Sequence, residues 1–65
     1  MNLLDVYEAE GRQGLVRLAK KAGTSAKYLY HCATGRREPS PRMARRLVEA
    51  DSRLTLEALY QQKAA

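Results

Sequence analysis

The sequence predicts an all-α fold, a compact bundle of four to five short helices. Three observations carry that expectation. Apolar residues recur with the helical period of 3.6 rather than the strand period of 2. Glycines, prolines and small polar residues stand where helices start and stop. The chain has 65 residues, enough for one domain over 1–65 built of short elements.

The first helix is expected over Leu3 to Ala9. Asn2 is its N-cap, Asp5 follows three residues later, Leu3, Val6 and Tyr7 share one face, and Gly11 ends it. The second runs from Gln13 to Ala22, with Leu15, Leu18, Ala19 and Ala22 as the i, i+3, i+4, i+7 stripe. Arg17, Lys20 and Lys21 lie on its other side, and Gly23 sits where a left-handed residue closes a helix. The third runs from Ala26 to Ala33, capped by Ser25, with Leu29, Cys32 and Ala33 inward, and Gly35 stops it. Ser40 caps the fourth and Pro41 occupies its first position. That helix reaches Ala50 with Met43, Ala44, Leu47 and Val48 inward, and Arg45 and Glu49 are spaced to pair on its outer side. Beyond it, Thr55 can cap a fifth helix from Leu56 to Gln62, with Leu54 and Leu59 as a hydrophobic staple. The alternation in Leu54-Thr55-Leu56 also fits a short strand; the helix formers Glu57-Ala58-Leu59 and Gln61-Gln62-Lys63 favour the helix.

Composition narrows the function classes. A domain this small buries only roughly 60% of its unfolded surface, which leaves a thin core and little wall for a catalytic cleft. No nucleophile–base pair is visible, and one cysteine with one histidine (Cys32 and His31) is too little for a zinc site. No enzyme activity, cofactor or metal is expected. No apolar run approaches the roughly 20 residues of a membrane span, and Met1-Asn2-Leu3-Leu4-Asp5 is not the pattern of a secretion leader. The expected location is the cytoplasm.

Twelve Lys and Arg against seven Asp and Glu give a formal charge of +5, with an isoelectric point near 9.8. Residues 1–11 carry −3, residues 12–46 carry +9 and residues 47–65 carry −1. The basic middle therefore holds the whole excess, and a polyanion is expected to dock there.

The informative stretch is Leu15 to Gly35, LVRLAKKAGTSAKYLYHCATG. Two helices flank the turn Gly23-Thr24-Ser25. Ala19 supplies a small residue for the crossing, Gly23 a glycine for the turn, and Leu18, Leu29 and Cys32 an apolar back. With Leu18-Ala19, Ala22-Gly23, Ser25, Leu29, Gly35 and Pro39-Ser40-Pro41, the segment resembles the helix-turn-helix domain of Cro-type, phage-repressor-like regulators over about residues 12 to 50. It departs at Cys32, where that family often has a larger aliphatic residue. It also departs at Leu15, where relatives often have a polar phosphate-binding residue; Gln13 is the candidate to replace it here.

The resemblance implies sequence-specific binding of double-stranded DNA by a small phage- or prophage-type repressor, with the helix after the turn in the major groove. It puts Ala26, Lys27, Tyr30, His31 and Thr34 toward the bases. Lys27 suits guanine, Ala26 a thymine methyl, and His31 either edge according to its tautomer. His31 is equally readable as a solvated surface residue. Tyr28 is more a flank-packing residue than a reader, and Cys32 a packing thiol. Arg12, Gln13, Arg36, Arg37, Ser40 and Arg42 are the candidate phosphate ligands. Arg45, Arg46 and Arg53 read as a solvated face, and Asp5, Glu8 and Glu10 as solubilising acids.

Readers of this type work as dimers, so a weak homodimer is expected. Leu54, Leu56, Leu59 and Tyr60, in the C-terminal segment 51–65, are the candidate dimer surface, although some must cover the core. The competing reading is a protein-interaction or antitoxin-like regulator that holds a partner through that segment. A sequence-blind nucleic-acid binder is a third; the chain has neither a GXXG loop nor a sheet of stacking aromatics.

Overall fold

A computed structural model describes residues 1–61. Its elements are α1 (Leu3–Ala22), α2 (Ala26–Ala33), α3 (Pro41–Ala50) and α4 (Leu56–Gln61). The described residues contain no strand, so the all-α expectation holds and the alternative strand at Leu54-Thr55-Leu56 does not form. The expected end of the last helix, Gln62, lies outside the described residues.

The two helices expected over Leu3–Ala9 and Gln13–Ala22 are both present and follow one another directly across a kink at Gly11, together forming α1. Inside α1 only Gly11 leaves helical dihedrals, at φ 71° and ψ −162°. A glycine adopts positive φ without a Cβ clash, so the chain changes direction without a linker. The caps are those the sequence suggests. At the start of α1, Asn2 Oδ1 accepts from the Asp5 N–H (2.9 Å) and Asp5 Oδ2 accepts from the Asn2 N–H (3.0 Å), a reciprocal capping box. Gly23, at φ 76°, closes α1 in the left-handed conformation. Ser25 Oγ accepts from the Tyr28 N–H (3.1 Å), and Ser40 Oγ from the Met43 N–H (3.2 Å). Thr55 Oγ1 accepts from the Ala58 N–H (3.1 Å).

The core gathers one face from every element. Leu3, Val6, Leu15, Leu18, Ala19 and Ala22 of α1 meet Leu29, Cys32 and Ala33 of α2 and Ala44 and Leu47 of α3. Leu54 and Leu59 close the far side. Each leucine taken fully from water contributes about 1.5–3 kcal/mol, so this short row of side chains carries most of the driving force. α1 packs against both α2 and α3, and α4 against α3. No buried side-chain polar atom among the described residues lacks a hydrogen bond. No helix among them is long and apolar enough to cross a membrane.

A polar clasp ties the bend of α1 to the segment before α4. Arg53 Nη1 donates to Glu10 Oε2 (2.7 Å) and Arg53 Nη2 to Asp51 Oδ2 (2.7 Å). Arg17 Nη2 reaches Glu10 Oε1 at 3.3 Å. The hydrogen bond from Arg53 holds both the Glu10 and the Asp51 carboxyls below their usual range. Arg53 stays exposed, as expected, and Glu10 is half-buried, but both are held in ion pairs that the sequence does not announce. Asp5 likewise serves as a cap. The expected Arg45–Glu49 pair is not among the ion pairs of the described residues.

Candidate nucleic-acid interface

The interface candidates are built around α2. Ala26, Lys27, Tyr30, His31 and Thr34 are spaced i, i+1, i+4, i+5 and i+8, which lays them along one side of a helix. Leu29, Cys32 and Ala33 occupy the opposite, buried side. Lys27, Tyr30 and Thr34 are exposed, and Ala26 and His31 are half-buried. Ser25 caps the helix and Gly23 turns the chain into it, and the burial of Leu29, Cys32 and Ala33 turns this face outward.

Two ring contacts fix its centre. The Tyr30 ring meets Tyr7 of α1 edge-on, with centroids 5.5 Å apart and planes at 67°. His31 lies on its other side, its ring tilted at a centroid distance of 6.3 Å. Such edge contacts hold an aromatic side chain in one rotamer. Tyr7 is a residue of this site that the sequence does not single out. Its signal is a phenol on the apolar Leu3–Val6 face, half-buried against the core.

At the far end of the face the Thr34 hydroxyl donates to the Tyr30 carbonyl (3.0 Å) and lies 3.3 Å from the His31 carbonyl. Its proton is thereby used within the helix, and its oxygen remains an acceptor. The His31 carbonyl also accepts the Arg36 N–H (2.9 Å) and the Arg37 N–H (3.2 Å). The basic loop is therefore hung from the last turn of α2, with both arginine side chains exposed.

Arg12, immediately after the bend, joins the α2 face. Together with Tyr7, Leu15, Ala26, Lys27 and Tyr30 it lines a groove of about 440 Å³ between α1 and α2. Gln13, Ser40 and Arg42 are exposed but do not line that groove. Ser40 is tied to its capping role, its oxygen facing the start of α3.

Tyr28 is half-buried against the core, and its hydroxyl is hydrogen-bonded to the Cys32 thiol. Burial pushes both groups above their ordinary values, so the thiol stays protonated at neutral pH. The four apolar residues offered for a dimer surface divide in two. Leu54 and Leu59 are each 1% exposed and belong to the core of the single chain, whereas Leu56 and Tyr60 are 43% and 40% exposed.

No group of three or more His, Cys, Asp and Glu side chains suited to a metal ion occurs among the described residues. Comparison with protein-family models, characterised proteins and solved structures finds no match to this chain.

Proposed function

We propose that this chain is a helix-turn-helix protein that binds double-stranded DNA sequence-specifically and acts as a small transcriptional repressor of the phage or prophage type. The observation that carries this reading is the outward face of α2. It follows a three-residue turn, bears Lys27, Tyr30 and Thr34 exposed, and is continued by the loop arginines Arg36 and Arg37. A helix of this width fits the major groove, where donors and acceptors distinguish all four base pairs.

In this reading Lys27 donates to guanine, Ala26 touches a thymine methyl, and Tyr30 and His31 reach base edges as a packed pair. Thr34 accepts through its free lone pair. Arg12, Gln13, Arg36, Arg37, Ser40 and Arg42 hold the phosphates on either side. Bound at a promoter, such a domain represses by occupying the site.

Leu56 and Tyr60 stand four apart on α4, so they are neighbours on one side of that helix. They support a weak homodimer whose two copies read half-sites about one helical turn apart. A partner protein held by the same pair is the second reading, favoured by the same exposed residues.

Selection of bound duplexes from a random pool at near-physiological salt tests the proposal. A two-fold-symmetric consensus, bound at least about a hundredfold tighter than a scrambled duplex, is the expected result. Weak binding, equal across sequences and steeply salt-dependent, would refute sequence reading. A monomer in sedimentation, both free and on the selected duplex, would refute the dimer.

A further inference from the structure

The groove between α1 and α2 differs in its charge from the one on another face of α1. The other groove is lined by the carboxylates Glu10 and Asp51 as well as the cations Arg17, Lys21 and Arg53, and ion pairs tie both carboxylates to Arg17 and Arg53. The α1–α2 groove holds the cations Arg12 and Lys27 and no carboxylate. Neither cation is ion-paired among the described residues. An uncompensated cationic groove with low-dielectric walls concentrates anions.

Its other walls limit which anion fits. Leu15 is buried and apolar, and the Tyr7 and Tyr30 rings are packed against each other. About 440 Å³ is the size of a small organic molecule and far more than a bare phosphate fills. The complementary shape is an anionic group joined to an uncharged ring.

We infer that the groove seats one nucleotide of the DNA backbone, its phosphate paired with Arg12 and its deoxyribose against the Tyr7 ring, which backs Tyr30, while Lys27 and Tyr30 remain turned to the bases. This rests on the DNA-binding reading above and adds Tyr7 to the interface. It makes the bend at Gly11 the device that brings Arg12 and Tyr7 to one site.

The test uses the full chain and the selected duplex, with one neutral methylphosphonate linkage placed in turn at each position. Affinities are measured for the wild type and for Arg12→Gln, an exposed substitution. One linkage is expected to weaken the wild type about tenfold, the scale of a charge-assisted hydrogen bond, and the variant less than twofold. Linkages that affect both proteins alike would overturn the proposal. The ring proton signals of Tyr7 and Tyr30 are followed in the same complex. Both are expected to shift on DNA binding, and an unmoved Tyr7 ring would overturn the sugar contact. If the chain prefers no duplex, base reading fails on its own and the rings decide the groove. Shifts with any DNA keep it as a backbone site, and unchanged rings remove it.

Discussion

Gly14→Ala sets two opposing effects against each other, and the structure decides between them. In an ordinary helix this change is favourable, by about 0.5–1 kcal/mol, because glycine loses more backbone freedom on folding. Here a Cβ at position 14 would lie 2.6 Å from Glu10 Cβ and 2.8 Å from Glu10 Oε1. The close approach arises because the positive φ of Gly11 folds Glu10 back over the next turn. Glu10 Cβ is fixed to the backbone, and its carboxylate is held by Arg53 and Arg17, so no flexible end can yield. Overpacking of this kind costs about 1–3 kcal/mol, which exceeds the propensity gain and leaves a net loss of about 1 kcal/mol. For a domain of this size that lowers the Tm by about 4–8 °C. Urea and thermal unfolding followed by circular dichroism measure it. The cycle is completed in a Glu10→Gly background, where the obstructing Cβ is gone and Gly14→Ala becomes stabilising by about 0.5–1 kcal/mol. A Gly14→Ala protein more stable than the wild type, or the same effect in both backgrounds, would refute the reasoning.

Other expectations follow from the clasp, the loop and the caps. Glu10 and Asp51 have folded-state values below their unfolded ones, so their contribution is present above the usual carboxylate range near about pH 4 and lost as the pH falls below it. Arg53→Ala is expected to flatten that acid limb of the stability curve; a limb as steep as in the wild type would place the acid sensitivity elsewhere. Replacing Arg36 and Arg37 by Gln is expected to reduce the slope of log affinity against log salt by about one for each phosphate that no longer meets a cation. An unchanged slope would remove that loop from the footprint. Ser40→Ala leaves the Met43 N–H without its cap and is expected to cost about 1 kcal/mol in urea unfolding, with Ser40→Asp close to neutral.

Elements written in local signals were legible. α2 and α3 begin and end at the expected residues because Ser25, Gly23, Ser40 and Pro41 act on their own neighbours. The bend of α1 was visible as Gly11, but not the direction in which it sends the chain. That direction brings Tyr7 to Tyr30 and Glu10 to Arg53, so both pairings were hidden. Glycine at 14 was unexplained in the sequence for the same reason. The division of Leu54 and Leu59 from Leu56 and Tyr60 depends on how one short helix docks, which its own period cannot state. On the site, the stripe 26, 27, 30, 31 and 34 could be read from helical spacing alone. The groove that adds Tyr7 and Arg12 to it is a product of tertiary packing.

The thinness of the α4 attachment gives the molecule a built-in clock. α4 has six residues and packs on α3, whereas α1 packs on both α2 and α3. Its amides are therefore expected to exchange with solvent through a local opening, ahead of those of α1 and α2. Leu59 shares with Cys32 a small cavity of about 150 Å³ roofed by the 35–39 loop. An excursion of α4 would lift one wall of that cavity and uncover Cys32, the only thiol in the chain. Labelling of Cys32 by an aromatic disulfide reagent would then report how often the C-terminal helix leaves, on the same chain and without an added probe.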